Sequence, residues 1–499
     1  MSSATIPSLD PQHGLTGPPP PHQTVRQPTR TATITVVALT AMVGAIAAGG
    51  PLAGLGATVI LLSVLLAVGV AGHSPWWTAS LLAATAVPAL LLSLRSAPEL
   101  TVLAYGAVTG QLIIAGTTVS GARPWTLGPV GLLLRMTEAM SHTVFGPDLL
   151  RSRGRSRGGR TRWRGNRGLA VLRGLLLAVP LIGVVGWLLS ADLVFADVIR
   201  IDLPPDLWGR VAAAAGVAWL TTAVLRGMGT TPLPLPVPAR RWLGITEAIT
   251  VLALLVGVFA LFAATQAYAA AGGASHILAQ AGLTYAEYAR EGFFQMIAVA
   301  VITLGALTGI NVAVRMRPDG TTAPAVRWLS LLATLLVMVI VGVALRRLDL
   351  YSQAFGLTRL RLWAALGTVW VGGIFVLLAL RMTGLGRRVS WLLPAVCGWA
   401  LIAVVGVMLL SPDAVIARAN IALDSAGVRP LDVQYAVGLS SDAVPDLLMA
   451  AADGRLSGGA AWAVLDRLCT TPDQPQGWAA YNRGRARAEV TRREVCQQS

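Results

Sequence analysis

The chain has no lysine; all 39 basic residues are arginine. A Schiff-base lysine, a phosphate-loop lysine and a kinase-type lysine are therefore excluded. Histidine is scarce: His13, His22, His73, His142 and His276 stand without ligand spacing, so no metal or haem site is expected and no cofactor is called. Cysteine is limited to Cys397, Cys469 and Cys496, too few for a disulfide framework. Charged residues make up only 12% of 499 residues, against 55% hydrophobic. Mean hydropathy is +0.66, outside the range of a water-soluble domain of this size.

Apolar runs fill the space that charge leaves. A hydrocarbon core of about 30 Å needs roughly 20 apolar residues per helix. Such runs fall at 32–50, 52–72, 76–94, 99–120, 168–190, 207–228, 243–265, 291–314, 328–347, 359–380 and 389–410. The expected fold is all-α, a polytopic transmembrane bundle of about eleven spans. Residues 1–30 read as a proline-rich disordered tail, weakly basic and without the cleavage pattern of a signal peptide. The expected organisation is four spans within 31–120, a basic loop at 121–167, a seven-span unit at 168–410, and a polar helical domain at 411–499.

Charge placement orients these spans. The basic loop carries Arg151, Arg153, Arg155, Arg157, Arg160, Arg162, Arg164 and Arg167. Later loops of the same parity hold Arg226, Arg240, Arg241, Arg315, Arg317, Arg327, Arg381, Arg387 and Arg388. Acids collect in the other set, with Asp192, Asp197, Asp202 and Asp206. The N-terminus is thus expected in the cytoplasm and the C-terminal domain outside a bacterial plasma membrane. There an oxidising exterior would allow Cys469 and Cys496 to pair. The net charge of +16 is assigned to topology and to anionic lipid at the arginine-rich loop, each arginine contributing about 1 kcal/mol. Besides the bilayer no partner is identified, and nucleic acid is not expected.

Several polar residues lie where a membrane tolerates them only for a reason. Glu247 falls one turn inside the seventh run, and Gln266 ends it. Glu287, Tyr288, Arg290 and Glu291 form an interfacial group before the eighth, with the charges at helical spacing. Arg359 and Arg361 enter the tenth run against the charge bias, with Asp349 as the nearest acid, and Thr358 is placed to cap that helix. Asp192, Asp197 and Asp202 could hold a divalent cation, although the apolar residues among them argue against a loop site. Beyond Pro412, helices are expected at 413–422, 431–438, 441–453, 457–469 and 476–493, the third capped by Ser440 or Ser441 and ended by Gly454.

Five strings carry a family likeness: ADLVFADVI (191–199), Gln266-x-Tyr268 with Gly272-Gly273, GLTYAEYAREGFFQ (282–295), LYSQAFGLTRLRLW (350–363), and ARAN with LDVQYAVGLSSDAVPDLL (417–448). The last string carries Asn420, Asp432, Tyr435, Ser440, Asp442 and Pro445. Together they resemble the bacterial domain-of-unknown-function 4153/4173 family of multi-spanning membrane proteins. Phe355 stands where the family carries tyrosine, and Glu291 where a second basic residue stands. The resemblance implies a membrane bundle with an exterior segment and no defined activity. The residues favour a non-catalytic envelope scaffold or sensor-like protein. A permease using Glu247, Glu291 or Asp197 is the alternative, and a lipid-modifying transferase the second alternative.

Overall fold

The computed structural model describes residues 30–48, 51–71, 76–119, 137–138, 141–142, 205–229, 242–268, 271, 293–317, 321–384, 391–470 and 477–497. Every regular element among them is helical; the single bridge, Leu243 to Val314, ties two helix ends together. Ten long helices come first: α1 (Arg30–Ala47), α2 (Leu55–Ala71), α3 (Trp76–Leu91), α4 (Pro98–Val119), α5 (Pro205–Gly229), α6 (Ile245–Tyr268), α7 (Phe293–Ala313), α8 (Pro324–Phe355), α9 (Arg359–Met382) and α10 (Leu392–Leu410). Five short ones follow: α11 (Pro412–Ser425), α12 (Val433–Val437), α13 (Val444–Ala452), α14 (Gly458–Cys469) and α15 (Arg483–Cys496).

The solvent of the long helices is legible on their surfaces. Six of them, α4 and α6 to α10, are long and apolar enough to cross a membrane, and α1 to α3 contain shorter apolar helices. Leucine, valine and isoleucine side chains stand exposed along them, among them Leu254, Val258 and Leu261 on α6 and Ile302 on α7. Water would not tolerate such faces at this density, whereas acyl chains do. The protein spans a membrane with α-helices, the form that satisfies backbone hydrogen bonds internally. Ten of the expected runs coincide with α1 to α10; the run at 168–190 and the loop at 121–167 fall almost entirely outside the described residues.

Two cores organise the bundle. One gathers α1 to α5 with α10 around Val64, Leu92, Leu100, Val108 and Met408. The other gathers α6 to α9 around Leu252, Leu307, Val337 and Phe375. Buried threonines stitch helices to each other: Thr40 meets Thr221 at 3.2 Å across α1 and α5, and Thr58 donates to the Ala89 carbonyl at 2.9 Å across α2 and α3. Between α9 and α10, the Trp399 ring lies directly on Gly373, and its Nε1–H donates to the Trp370 carbonyl at 2.9 Å. A third core, built on Ile416, Ala436, Leu447, Leu448 and Val464, belongs to α11 to α15, with Leu357 and Leu362 packed on it.

Two expectations about the connections change. The ninth run was expected to end near Leu345 to Arg347 and pass into a linker. Instead α8 continues through Phe355, 32 residues or about 48 Å. Its last two turns therefore extend past a hydrocarbon core of about 30 Å. Asp349 and Gln353 fall on those turns, where Gln353 Nε2 donates to Asp349 at 3.0 Å. The helix at Val444 is capped by Ala443 without a side-chain bond, so neither Ser440 nor Ser441 serves it; Gly454, with φ 67°, does end it.

A side chain added at Gly373 would meet the Trp399 indole, and in a packed interior such crowding costs about 1–3 kcal/mol. Gly373→Ala is expected to lower the melting temperature in detergent, and Trp399→Ala in the same background to recover part of the loss. An unshifted Gly373→Ala melt would show that α9 and α10 do not meet there.

Candidate functional site

Polar side chains concentrate where α11 to α15 sit on one end of the bundle. That end is formed by the residues before α2, the segment Leu92–Ala97 between α3 and α4, the turn Gly356–Thr358 between α8 and α9, and Ser411 between α10 and α11. Such turns leave helix-terminal carbonyls and N–H groups without partners in their own helix. The C-terminal helices supply those partners.

The centre of the contact is Arg359, the first residue of α9. Its Nε–H and Nη2–H donate to the two oxygens of Asp413 at 2.9 and 2.7 Å, a bidentate pair. Glu99 of α4 stands at 3.7 Å from the same guanidinium. The Asp413 side chain is 2% exposed, and its Oδ2 also accepts the Ser440 N–H at 2.8 Å. Burial pushes the Asp413 carboxyl upward, but the bonds from Arg359 and Ser440 outweigh it and hold the group below its ordinary value. Beside it, Asn420 accepts the Leu357 N–H and donates to the Leu357 carbonyl, both at 2.8 Å, so one amide satisfies both backbone groups of a turn residue. Gly356 turns the chain there at φ 77°, and a side chain would press on the Asn420 Oδ1 at 2.9 Å. The Tyr435 hydroxyl accepts the Arg359 N–H at 2.7 Å.

A second group lies on the other side of the contact. Asn482 caps α15 by accepting the N–H groups of Gly484 and Arg485. Its Nδ2 donates to the carbonyls of Leu92 at 3.0 Å and Arg95 at 2.8 Å. Arg485 donates to the Ala53 carbonyl at 2.6 Å, and Arg95 to those of Met408 and Leu409 at 2.8 and 2.6 Å. Asp442 accepts the Ser96 N–H at 2.9 Å, while its other oxygen rests against Gly484 without a hydrogen-bond partner. Burial raises its carboxyl above the ordinary value, against the lowering influence of Ser96 and Arg95. Cys469 and Cys496 form a disulfide, with Cα atoms 5.8 Å apart, and so join α14 to α15.

The residues singled out from the sequence fare unevenly. Arg361 pairs with no acid among the described residues: its guanidinium lies 4.1 Å over the Tyr351 ring and donates to the carbonyls of Phe355 and Gly356, closing the α8–α9 turn. Arg359 pairs with Asp413 rather than the expected Asp349. Thr358 caps α9, accepting the Arg361 N–H. Glu247 is exposed and accepts the Gly244 N–H at 2.8 Å, stapling the start of α6. Gln266 lies half-buried in the last turn of that helix. Asp192, Glu287, Tyr288, Arg290 and Glu291 lie outside the described residues, as do Asp197 and Asp202. Among the described residues no three histidine, cysteine or acidic side chains stand together as metal ligands.

Asp413, Asn482 and Arg485 were not singled out. Asp413 carried a faint signal, an acid in the first turn after Ser-Pro, and Asn482 another, a capping residue before Arg-Gly-Arg. Neither signal names a partner: Asn482 and Leu92 are separated by 390 positions.

The comparisons fit this architecture. Residues 34–450 match the family model described as Domain of unknown function (DUF4153). The chain is a multi-helix membrane protein, and it belongs to that family. No curated protein and no solved structure matches it. Arg359, Asp413, Asn420 and Asp442 fall inside the matched segment, whereas Asn482, Arg485 and Cys496 lie beyond it.

The two aspartates differ in sign. A carboxyl held below its ordinary value contributes stability above that value and loses it as pH falls through the lowered one. Asp413→Asn is expected to destabilise docking by about 2–3 kcal/mol near neutral pH, with the gap closing in acid. A carboxyl held above its ordinary value contributes stability below it, lost as pH rises through the raised one. Asp442→Asn is therefore expected to melt no lower than the native chain near neutral pH. Limited proteolysis of the C-terminal helices across a pH series checks both, and equal losses in the two variants contradict the assignment. Removing the disulfide, as Cys469→Ala with Cys496→Ala, is expected to lower the stability of these helices by about 2–4 kcal/mol, read by the same proteolysis.

Proposed function

We propose that the protein is a non-catalytic envelope scaffold: a bundle of about eleven spans that holds a small helical domain against its extracytoplasmic end. The observation that carries this reading is the contact itself. Asp413, Asn420, Asp442, Asn482 and Arg485 each bond a bundle-end turn or helix terminus, at three separate places. Bonds of this kind fix orientation as well as attachment, because each requires a particular turn in a particular place. They suit a platform that presents α11 to α15 in one pose.

Charge supports the orientation. Arg226, Arg315, Arg317, Arg327 and Arg381 stand towards the opposite end of the bundle, the pattern of a cytoplasmic side. The Cys469–Cys496 bridge suits an oxidising exterior. Residues 1–30 and 121–167 then lie in the cytoplasm, the latter attracting anionic lipid of the inner leaflet. The engagement of Glu247 as a helix-start staple favours a structural carboxylate over a proton carrier.

Thiol labelling in intact bacterial cells tests this. A cysteine replacing the exposed Trp462 is expected to react with a membrane-impermeant maleimide, and one replacing Arg315 only after permeabilisation. The reverse pattern overturns the orientation. In proteoliposomes Glu247→Gln is expected to leave proton flux unchanged; a flux lost on that substitution would return the carboxylate to a transport role.

A further inference from the structure

Between α1 and α5 the lipid-facing surface opens into a groove of about 560 Å³. Ala41 and Ala45 of α1 and Ala214, Ala215 and Ala218 of α5 line it, with Val211 beside them and Arg210 at one end. The two helices run antiparallel in close contact: Thr40 meets Thr221, and Gly44 lies against Val217, where a side chain would come within 3.0 Å. Extending that register places Arg210 level with Pro51, just past the end of α1 at Ala47 and near the C-terminal helices. From Arg210 to Ala218 the groove descends about 12 Å along α5. A single leaflet of the hydrocarbon core is about 15 Å deep.

Depth and charge together select the occupant. A spanning helix of about 30 Å laid here would run on well past a groove of about 12 Å. It would also shut an exposed guanidinium away from water, a costly placement for arginine in a membrane. A phospholipid meets both demands: its acyl chain fits a channel floored by methyl groups, and its phosphate meets Arg210 at headgroup level, where Arg binds phosphate well. No carboxylate among the described residues pairs with Arg210. We propose that this groove is a binding site for one acyl chain of an anionic phospholipid, with the lipid phosphate held by Arg210 in the leaflet beneath the C-terminal helices. The site stands on the groove and its charge, not on the scaffold role or on which leaflet faces the cytoplasm.

The full chain in phosphatidylcholine nanodiscs doped with a phosphatidylglycerol carrying a diazirine on its acyl chain provides the test. Photolabel is expected to concentrate on 41–47 and 210–218. It should fall about five-fold in Arg210→Gln, the loss expected for one arginine at a charged lipid surface, and return in Arg210→Lys. Ala214→Leu with Ala218→Leu should abolish it while Arg210 remains, and a phosphatidylcholine probe should label more weakly. Asp206 precedes Arg210 by one turn in sequence, so Asp206→Asn is the control: labelling retained supports a lipid phosphate as the arginine's partner. A loss in Asp206→Asn equal to that of Arg210→Gln would overturn the site. Label spread evenly onto faces such as Leu254 and Leu261, and indifferent to Arg210→Gln, would overturn it as well. So would a disulfide closing between Ala45→Cys and Gly183→Cys in the intact protein, which would place the chain's own apolar run in the groove.

Discussion

The first turn of α9 carries a guanidinium that shares both oxygens of a carboxylate buried to 2% exposure. The pair sits at the seam between two media: below it, helices whose outer faces suit acyl chains; above it, short helices with a core of their own. Taking a carboxylate out of water is unfavourable by several kcal/mol unless its lone pairs are met. Here Arg359 and the Ser440 N–H meet them, so Asp413 is tolerable only when α9, α11 and the turn at Ser440 are all in place. That mutual requirement fixes how the third core rests on the bundle, and the surrounding contacts follow from it. Asn420, on the same helix as Asp413, reaches Leu357, and Tyr435 of α12 reaches the Arg359 backbone.

The second group of contacts works differently. Asn482 and Arg485 are neutral or permanently charged donors aimed at carbonyls that helix ends leave open. Their strength does not vary with pH. Asp442 is the exception within this group: one oxygen is satisfied by Ser96 and the other is shut against Gly484. Two buried aspartates in one interface thus have opposite electrostatic character, and the cause is the number of donors each receives. The disulfide between α14 and α15 holds Asn482 and its helix to the third core, so the two halves of the interface are mechanically linked.

Some of this was legible in the residues. Long apolar runs announced the helices, since a membrane demands length and hydropathy that few soluble sequences reach. Thr358 could be recognised as a cap because a capping threonine acts on residues three positions away. The paired cysteines could be anticipated from their shared location. The true length of α8 could not, because Leu348 to Phe355 mixes polar and apolar residues, and the seat that keeps it helical comes from Arg361 lying over Tyr351. Nor could the role of Glu247, whose partner is the backbone of Gly244 rather than a solute.

Sequence alone determined the medium, the helical class and the family, since each depends on composition or on spacing within a single stretch of chain. Only the tertiary structure decided which charges meet. Arg359 chose Asp413, 54 positions away, over Asp349, only ten away, and Asn482 found carbonyls some 390 positions upstream. Ion pairing and carbonyl capture depend on distance and desolvation in space, and neither quantity is written along the chain until the helices have packed.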